Sequence, residues 1–297
     1  MARSLLVAPA AEDVGLARTC LGLLRALDRA GVKIAFVKPV AQPRPDGGPD
    51  RSAALVAAVT PLRPQDPLTT ADLEGQLGQD RMGKARLDVV LEKIVAAWEP
   101  IYAGSDVVVV EGLSSGPSKL YVSAVNQALA RSLDAEVLLV GQWPPDAAVE
   151  PLAGQLAIAS SGYASGEQGR VVGCVVHGLP PAEPRAIEQL TAELARRGLR
   201  LIAGVPYRPE LTWPRVRDLV RELDPEILSE GDLTRRIRSV AVFAQGIPGG
   251  LPVLDDGRLI VVPGDRHEVI MAAYLTELGG THLAALLLSA GIPPDRR

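Results

Sequence analysis

A chain of 297 residues with a formal net charge of −4 is long enough for one large domain and a small one, and it lacks the basic excess that nucleic-acid binding leaves. Hydrophobic residues make up 47% of it and aromatics only 3%, so the core has to be assembled from Leu, Val, Ile and Ala. Cys20 and Cys174 lie in apolar segments and read as buried thiols of a cytoplasmic protein. No run of about 18 apolar residues marks a membrane span, and the short apolar start has no basic region of a secretion signal.

Apolar runs of strand length alternate with amphipathic patterns, which is the signature of βαβ units and a parallel sheet. Leu5–Pro9 is the first expected strand. Leu16, Cys20, Leu23, Leu24 and Leu27 then fall on one face of a helix that Gly31 ends. Lys33–Lys38 is the second strand, followed by a Pro/Gly-rich loop over Pro39–Asp50. From Arg86 to Ala103 a helix presents Leu87, Val90, Leu91, Ile94, Val95 and Trp98 on one side. Asp106–Val110 is an apolar strand of the kind covered on both faces. Val122–Leu133 reads as helix, Glu136–Gly141 and Arg170–Val176 as strands, Ala182–Arg197 as helix and Leu199–Val205 as the sixth strand. Six strands with crossover helices predict an open, doubly wound sheet.

After Pro206 the pattern changes. Pro209, Pro214 and Pro225 interrupt a charged stretch that reads as a connector with one short helix. A smaller α/β unit follows, with strands near Ser239–Phe243, Arg258–Val262 and Leu283–Leu288 and a helix near Arg266–Leu278. The expected division is 1–207, a connector over 208–225 and a second domain over 226–297. Because the chain stops soon after Gly291, that second domain is expected to be cut short.

The loop Ala10–Gly15 joins the first strand to a helix N-terminus, the place where a phosphate-binding loop sits. Free backbone N–H groups and the helix dipole favour an anion there. Leu16, however, occupies the position that G-x-x-x-x-G-K-[ST] gives to lysine. Ala11 and Glu12 add a Cβ and a negative charge where a phosphate would approach. The choice is between a turn that binds nothing and a weak anion site built on Ala11, Val14 and Gly15. Lys38 stands at the C-terminal end of the second strand, on the rim where ligands bind in such sheets, as a group for an acidic ligand or as a solvated strand-end lysine. Glu111 follows the apolar strand and has two readings, holding magnesium or a water or pairing with Lys38. Asp50 is a second carboxylate in the Pro/Gly loop.

His177, His267 and His282 are scattered without zinc-binding spacing, and no G-x-S-x-G nucleophile elbow occurs. No metal site, cofactor or catalytic residue is therefore expected. Arg235, Arg236 and Arg238 form a basic cluster, read as a solvated or ion-paired face against a contact for an anionic effector.

The segments VAPAAEDVGLARTCLGLLRAL, FVKPVAQP and VVVVEGL resemble the N-terminal domain of the long bacterial phosphate acetyltransferases, which is itself similar to dethiobiotin synthetase. EILSEGDLTRRIRSVAVFAQGIP and VVPGDRHEVIMAAYLTELGGTHLAALLLSAG resemble the DRTGG domain that follows it. The resemblance implies a degenerate P-loop fold over 1–207 and a DRTGG domain over 226–297. It places Leu16 and Ala17 at the positions of the synthetases' lysine and threonine, with Lys38 and Glu111 matching their strand-end lysine and glutamate. The family interconverts acetyl-CoA plus phosphate with acetyl phosphate plus CoA, on a C-terminal acetyltransferase domain to which nothing here corresponds. The resemblance thus implies a regulatory and assembly region that is not itself catalytic. Its partners would be that C-terminal domain, further copies of the chain in a homo-oligomer and a small anionic effector such as pyruvate or NADH. Nucleic acid and membrane are not expected partners. The competing readings are an ATP-dependent dethiobiotin synthetase-like ligase and a free-standing two-domain metabolite sensor.

Overall fold

Three of four consecutive valines, Val108, Val109 and Val110, are fully buried, because their strand has helices on both sides. β-branched residues suit such a strand, where each side chain packs against a pleated surface. The computed structural model describes residues 2–42, 50–69, 90–114 other than 93, 97, 99 and 102, 121–144, 148–164, 171–180 and 184–294. It divides into two units, Met1–Tyr207 and Arg208–Arg297.

The first unit contains strands β1 (Arg3–Pro9), β2 (Ile34–Val37), β3 (Val107–Glu111), β4 (Glu136–Gln142), β5 (Val171–Leu179) and β6 (Leu201–Pro206). They form one sheet in the order β2-β3-β1-β4-β5-β6, with every pairing parallel. The doubly wound sheet expected from the alternating pattern is present. Helices α1 (Leu16–Arg29) and α2 (Arg51–Val59) cover one face, where Val7, Leu16, Cys20, Leu24, Phe36, Val56 and Val109 form a core. Helices α3 (Val122–Ser132), α4 (Val149–Ser161) and α5 (Pro184–Arg196) cover the other, around Leu6, Ala8, Val110, Leu129, Leu156 and Leu190. Alternate residues of β1 thus serve opposite faces, as the two-residue period of a strand requires.

Helical residues between 90 and 101 place Val90, Leu91, Ile94 and Trp98 in the same second core. Leu87 and the expected start of that helix at Arg86 lie outside the described residues, as do Arg170 and Ala182. Helices α2 and α4 were not expected from the sequence. β3 runs one residue further than read and includes Glu111 itself. β5 continues through His177 to Leu179.

In the second unit β7 (Ser239–Val242), β8 (Arg258–Pro263) and β9 (Ala285–Ser289) form a parallel sheet in that order. Phe243, Leu254, Ile260, Val262, Val269, Ala273 and Leu283 make one core, with Val269 and Ala273 coming from helix α7 (His267–Leu278). Residues 208–225, read as a connector, hold a 3₁₀ turn at Pro209–Leu211 and helix α6 (Val216–Leu223). Val216 of α6 packs with Ile237, Leu259 and Ala284. No helix among the described residues is long and apolar enough to cross a membrane.

Phe243, one of two phenylalanines in the chain and 1% exposed, is the largest side chain of the second core. Phe243→Ala is expected to lower the stability of this unit by about 3–5 kcal/mol through lost burial and the cavity left behind. Denaturant unfolding followed by circular dichroism measures it, and a loss below about 1 kcal/mol would contradict the packing described.

Candidate functional site

The loop after β1 enters α1 through Gly15, which sits at φ 83°. That left-handed conformation favours glycine. Its carbonyl accepts hydrogen bonds from Thr19 N at 3.1 Å and Thr19 Oγ1 at 3.2 Å, and no side chain caps the helix. Val14 is fully buried, whereas Ala11 is half-buried on the rim. Ala11, Val14 and Gly15 therefore share one turn. Leu16, at the position of the missing cation, is 4% exposed and packed in the core under α1. It points into the fold and not over the loop.

A cation is nevertheless present. A Cβ built on Gly15 would lie 2.6 Å from Nη2 and 2.8 Å from Nε of Arg18, so this guanidinium lies against the turn. Arg18 also lowers the pKa of His177, after burial, which is the larger cause. Nε2 of His177 is 2.7 Å from Thr19 Oγ1. The sequence reading missed both residues. Arg18 is two positions beyond the motif's lysine, and His177 comes from β5, which only the tertiary fold brings to the loop.

Lys38 and Glu111 do meet, but below the surface. Lys38 Nζ lies 2.9 Å from Glu111 Oε1 and 3.0 Å from Asp50 Oδ2, with all three side chains about 1% exposed. Nζ also donates to Ser52 Oγ at 2.9 Å, and that hydroxyl donates to Glu111 Oε1 at 2.8 Å. Asp50 is the N-cap of α2: its Oδ1 accepts from Ser52 N at 2.9 Å and Ala53 N at 3.1 Å, and its Oδ2 from Gln42 N at 3.1 Å. Asp50-Arg51-Ser52 before an apolar run is a helix-start signal, and it would have located both α2 and Ser52.

Burial pushes the Glu111 carboxyl above its ordinary range, and Lys38 and Ser52 only partly offset that. Oε2 of Glu111 is buried and has no hydrogen-bond partner among the described residues. For Asp50 burial acts in the same sense, but the Lys38 charge, with hydrogen bonds from Ala53 N, Gln42 N and Lys38 Nζ, outweighs it and its pKa falls. The Cys20 thiol is pushed well up, by burial first and by Glu111 next. Among the described residues no group of three His, Cys, Asp or Glu side chains could hold a metal ion.

The basic cluster of the second unit is occupied internally. Arg235 Nη1 donates to Glu277 at 2.8 Å and to the Leu283 carbonyl at 2.6 Å. Arg236 donates to the Trp213 carbonyl at 3.2 Å, and Arg238 lies 4.0 Å from Asp255.

The sequence pattern of the family described as AAA domain matches residues 3–215, and that of the DRTGG domain matches residues 218–297. Phosphate acetyltransferase of Pseudomonas putida KT2440 is 37% identical over 298 residues, 98% of this chain and 42% of its own length. That of Pseudomonas aeruginosa PAO1 is 36% identical over 98% of this chain and 42% of its own, and that of Escherichia coli K12 is 29% identical over 100% and 44%. The chain thus spans less than half the length of these relatives, which fits their N-terminal region. Among solved structures, the signal recognition particle 54 kDa protein of Aeropyrum pernix K1 in complex with GDP gives a TM-score of 0.44 at 13% identity, over 70% of this chain and 42% of that one.

Removing Lys38 leaves buried carboxylates uncompensated, so Lys38→Met is expected to cost about 3–5 kcal/mol of stability. Since Glu111 has a raised pKa, its contribution is fully present below the ordinary glutamate range and is lost as pH rises through the raised value. Asp50 runs the other way, with a contribution lost as pH falls through its lowered pKa. Over the range above the ordinary glutamate pKa the Glu111 effect governs, and Glu111→Gln should flatten the fall in stability with rising pH. Denaturant midpoints across that range decide it, and an unchanged slope in the variant would refute the assignment.

Proposed function

This chain belongs to the AAA domain family, and from that premise we propose that it is the regulatory and assembly N-terminal region of a cytoplasmic phosphate acetyltransferase. In this reading the interconversion of acetyl-CoA plus phosphate with acetyl phosphate plus CoA belongs to an acetyltransferase domain C-terminal to it in the same enzyme. The chain's own role is to assemble copies into an oligomer and to respond to a small anionic metabolite. One observation carries the non-catalytic part. Lys38 is closed off by Asp50, Glu111 and Ser52 within a region about 1% exposed. In a nucleotide-using site the strand-end lysine would face a phosphate and the glutamate would orient metal or water. Here each is held by the other.

The effector site proposed is the turn Ala11–Gly15 with Arg18 over it. Val14 and Gly15 give it shape, and the start of α1 offers backbone N–H groups without a capping side chain. Arg18 supplies a planar, permanently charged group for a carboxylate or phosphate. Lys38 and Glu111 support the turn from below as a neutralised pair and do not touch the ligand.

Purified chain is expected to show no ATP hydrolysis and no acetyl phosphate formation, and steady turnover of either substrate would overturn the non-catalytic reading. Calorimetry with pyruvate, phosphoenolpyruvate, NADH and ATP tests the effector site. At least one of these anions should bind, and Arg18→Ala should weaken it about tenfold or more, the worth of one charge-assisted hydrogen bond. No binding by any of the four, or equal titrations for the native chain and Arg18→Ala, would remove the assignment.

A further inference from the structure

The sheet order places β1 between β3 and β4. The connection leaving β1 leads to β2 on one side, and the connection leaving β4 leads to β5 on the other. Where connections diverge in this way a crevice opens outside the carboxyl ends of the two strands. A cavity of about 730 Å³ occupies that place, bounded by Pro9 and Ala10 at the end of β1, Pro144 after β4, and the facing sides of α3 and α4. Its volume falls within the range of small-molecule sites.

The lining has a definite chemistry. Among the described residues, none that lines it is Lys, Arg, His, Asp or Glu. The polar side chains are Ser123, Asn126, Gln127, Gln155 and Tyr163. Asn126 is committed to the fold: its Nδ2 donates to the Leu113 carbonyl at 2.9 Å, and its Oδ1 accepts from Leu113 N at 2.8 Å. This fixes one wall. Among the described residues the side chains of Ser123, Gln127, Gln155 and Tyr163 enter no hydrogen bond. The Tyr163 hydroxyl is neutral near physiological pH, and burial raises its pKa further; each glutamine amide offers a donor and an acceptor together.

Gly154 adds an independent observation. It lies in the interior of α4 and lines the cavity, and a Cβ placed on it would meet no atom within 4 Å. Glycine inside a helix is unfavourable, and no neighbouring atom demands it here. Its effect is to keep this wall of the cavity bare.

We propose that this cavity binds an uncharged, largely apolar small molecule bearing a carboxamide or lactam group, recognised by Gln127 and Gln155 with the hydroxyls of Ser123 and Tyr163. An amide matches glutamine amides donor to acceptor and acceptor to donor. A carboxylate or phosphate would lose its water against described walls that offer no cation to receive it. The site borders the anion turn at Ala10 but takes the opposite class of ligand, and it does not rest on the regulatory reading above.

The test uses the whole chain and a matched pair of probes, indole-3-acetamide and indole-3-acetate, which differ in charge and little in shape. Ligand-observed NMR and calorimetry up to about 10 mM cover the affinity expected for molecules of this size. The amide should bind saturably and the carboxylate about tenfold more weakly or not at all. Gly154→Leu, which fills the cavity from an unobstructed wall, should abolish amide binding without lowering the melting temperature. Gln127→Leu, which keeps the volume and removes the amide, should weaken the amide while leaving apolar contact, and it serves if Gly154→Leu unfolds. Equal or tighter binding of the carboxylate, amide binding that survives both variants, or no saturable amide binding would overturn the proposal. So would sedimentation showing a dimer of the native chain that Gly154→Leu dissociates, since a second copy would then cover the cavity.

Discussion

An ammonium group held out of water between two carboxylates is the constraint on which the large unit depends. Lys38 comes from the end of β2, Asp50 from the cap of α2 and Glu111 from the last residue of β3. One cation thus ties the cap of α2 to the ends of two strands that are already paired as neighbours in the sheet. Desolvating charges is costly, and losing one member of such a cluster is costlier than never having built it. The same arrangement fixes what this end of the sheet can do. Among the described residues its charges are satisfied inward, apart from one orphaned oxygen of Glu111, while Arg18 lies separately against the Gly15 turn.

Much of this architecture is legible in the sequence, for physical reasons that differ by element. Val107–Glu111 could be read because a strand buried on both faces needs no alternation, and four valines admit little else. α1 could be read because Leu16, Cys20 and Leu24 recur at helical spacing between arginines. α4 could not: Val149–Ser161 mixes Leu152 and Leu156 with Pro151, Gly154 and exposed Ile158, so the contrast between its faces is weak. α2 is short and rich in alanine, and its signal lies in its cap, Asp50.

The candidate site shows a sharper limit. Lys38 and Glu111 were both visible as strand-end residues, and their pairing was one of two readings open for Glu111. What the sequence did not show is that Asp50 and Ser52 close around the same ammonium, because a loop and a helix must fold back to bring them there. The replacement of Leu16 by Arg18 in space is of the same kind. A motif records positions along the chain, whereas a charge acts through distance, and a side chain one turn into a helix can reach back over the helix start.

Both cysteines of the chain are fully buried. Cys20 is pushed far above the ordinary thiol range, and Cys174, also by burial, up to about 12. Thiols in that state carry almost no thiolate near neutral pH, so maleimides and iodoacetamides find no reactive sulfur in the folded protein. A single cysteine introduced on the surface would consequently be modified alone. The native sequence is thereby a ready background for spin labels, fluorophores and distance measurements without prior removal of its own sulfur atoms.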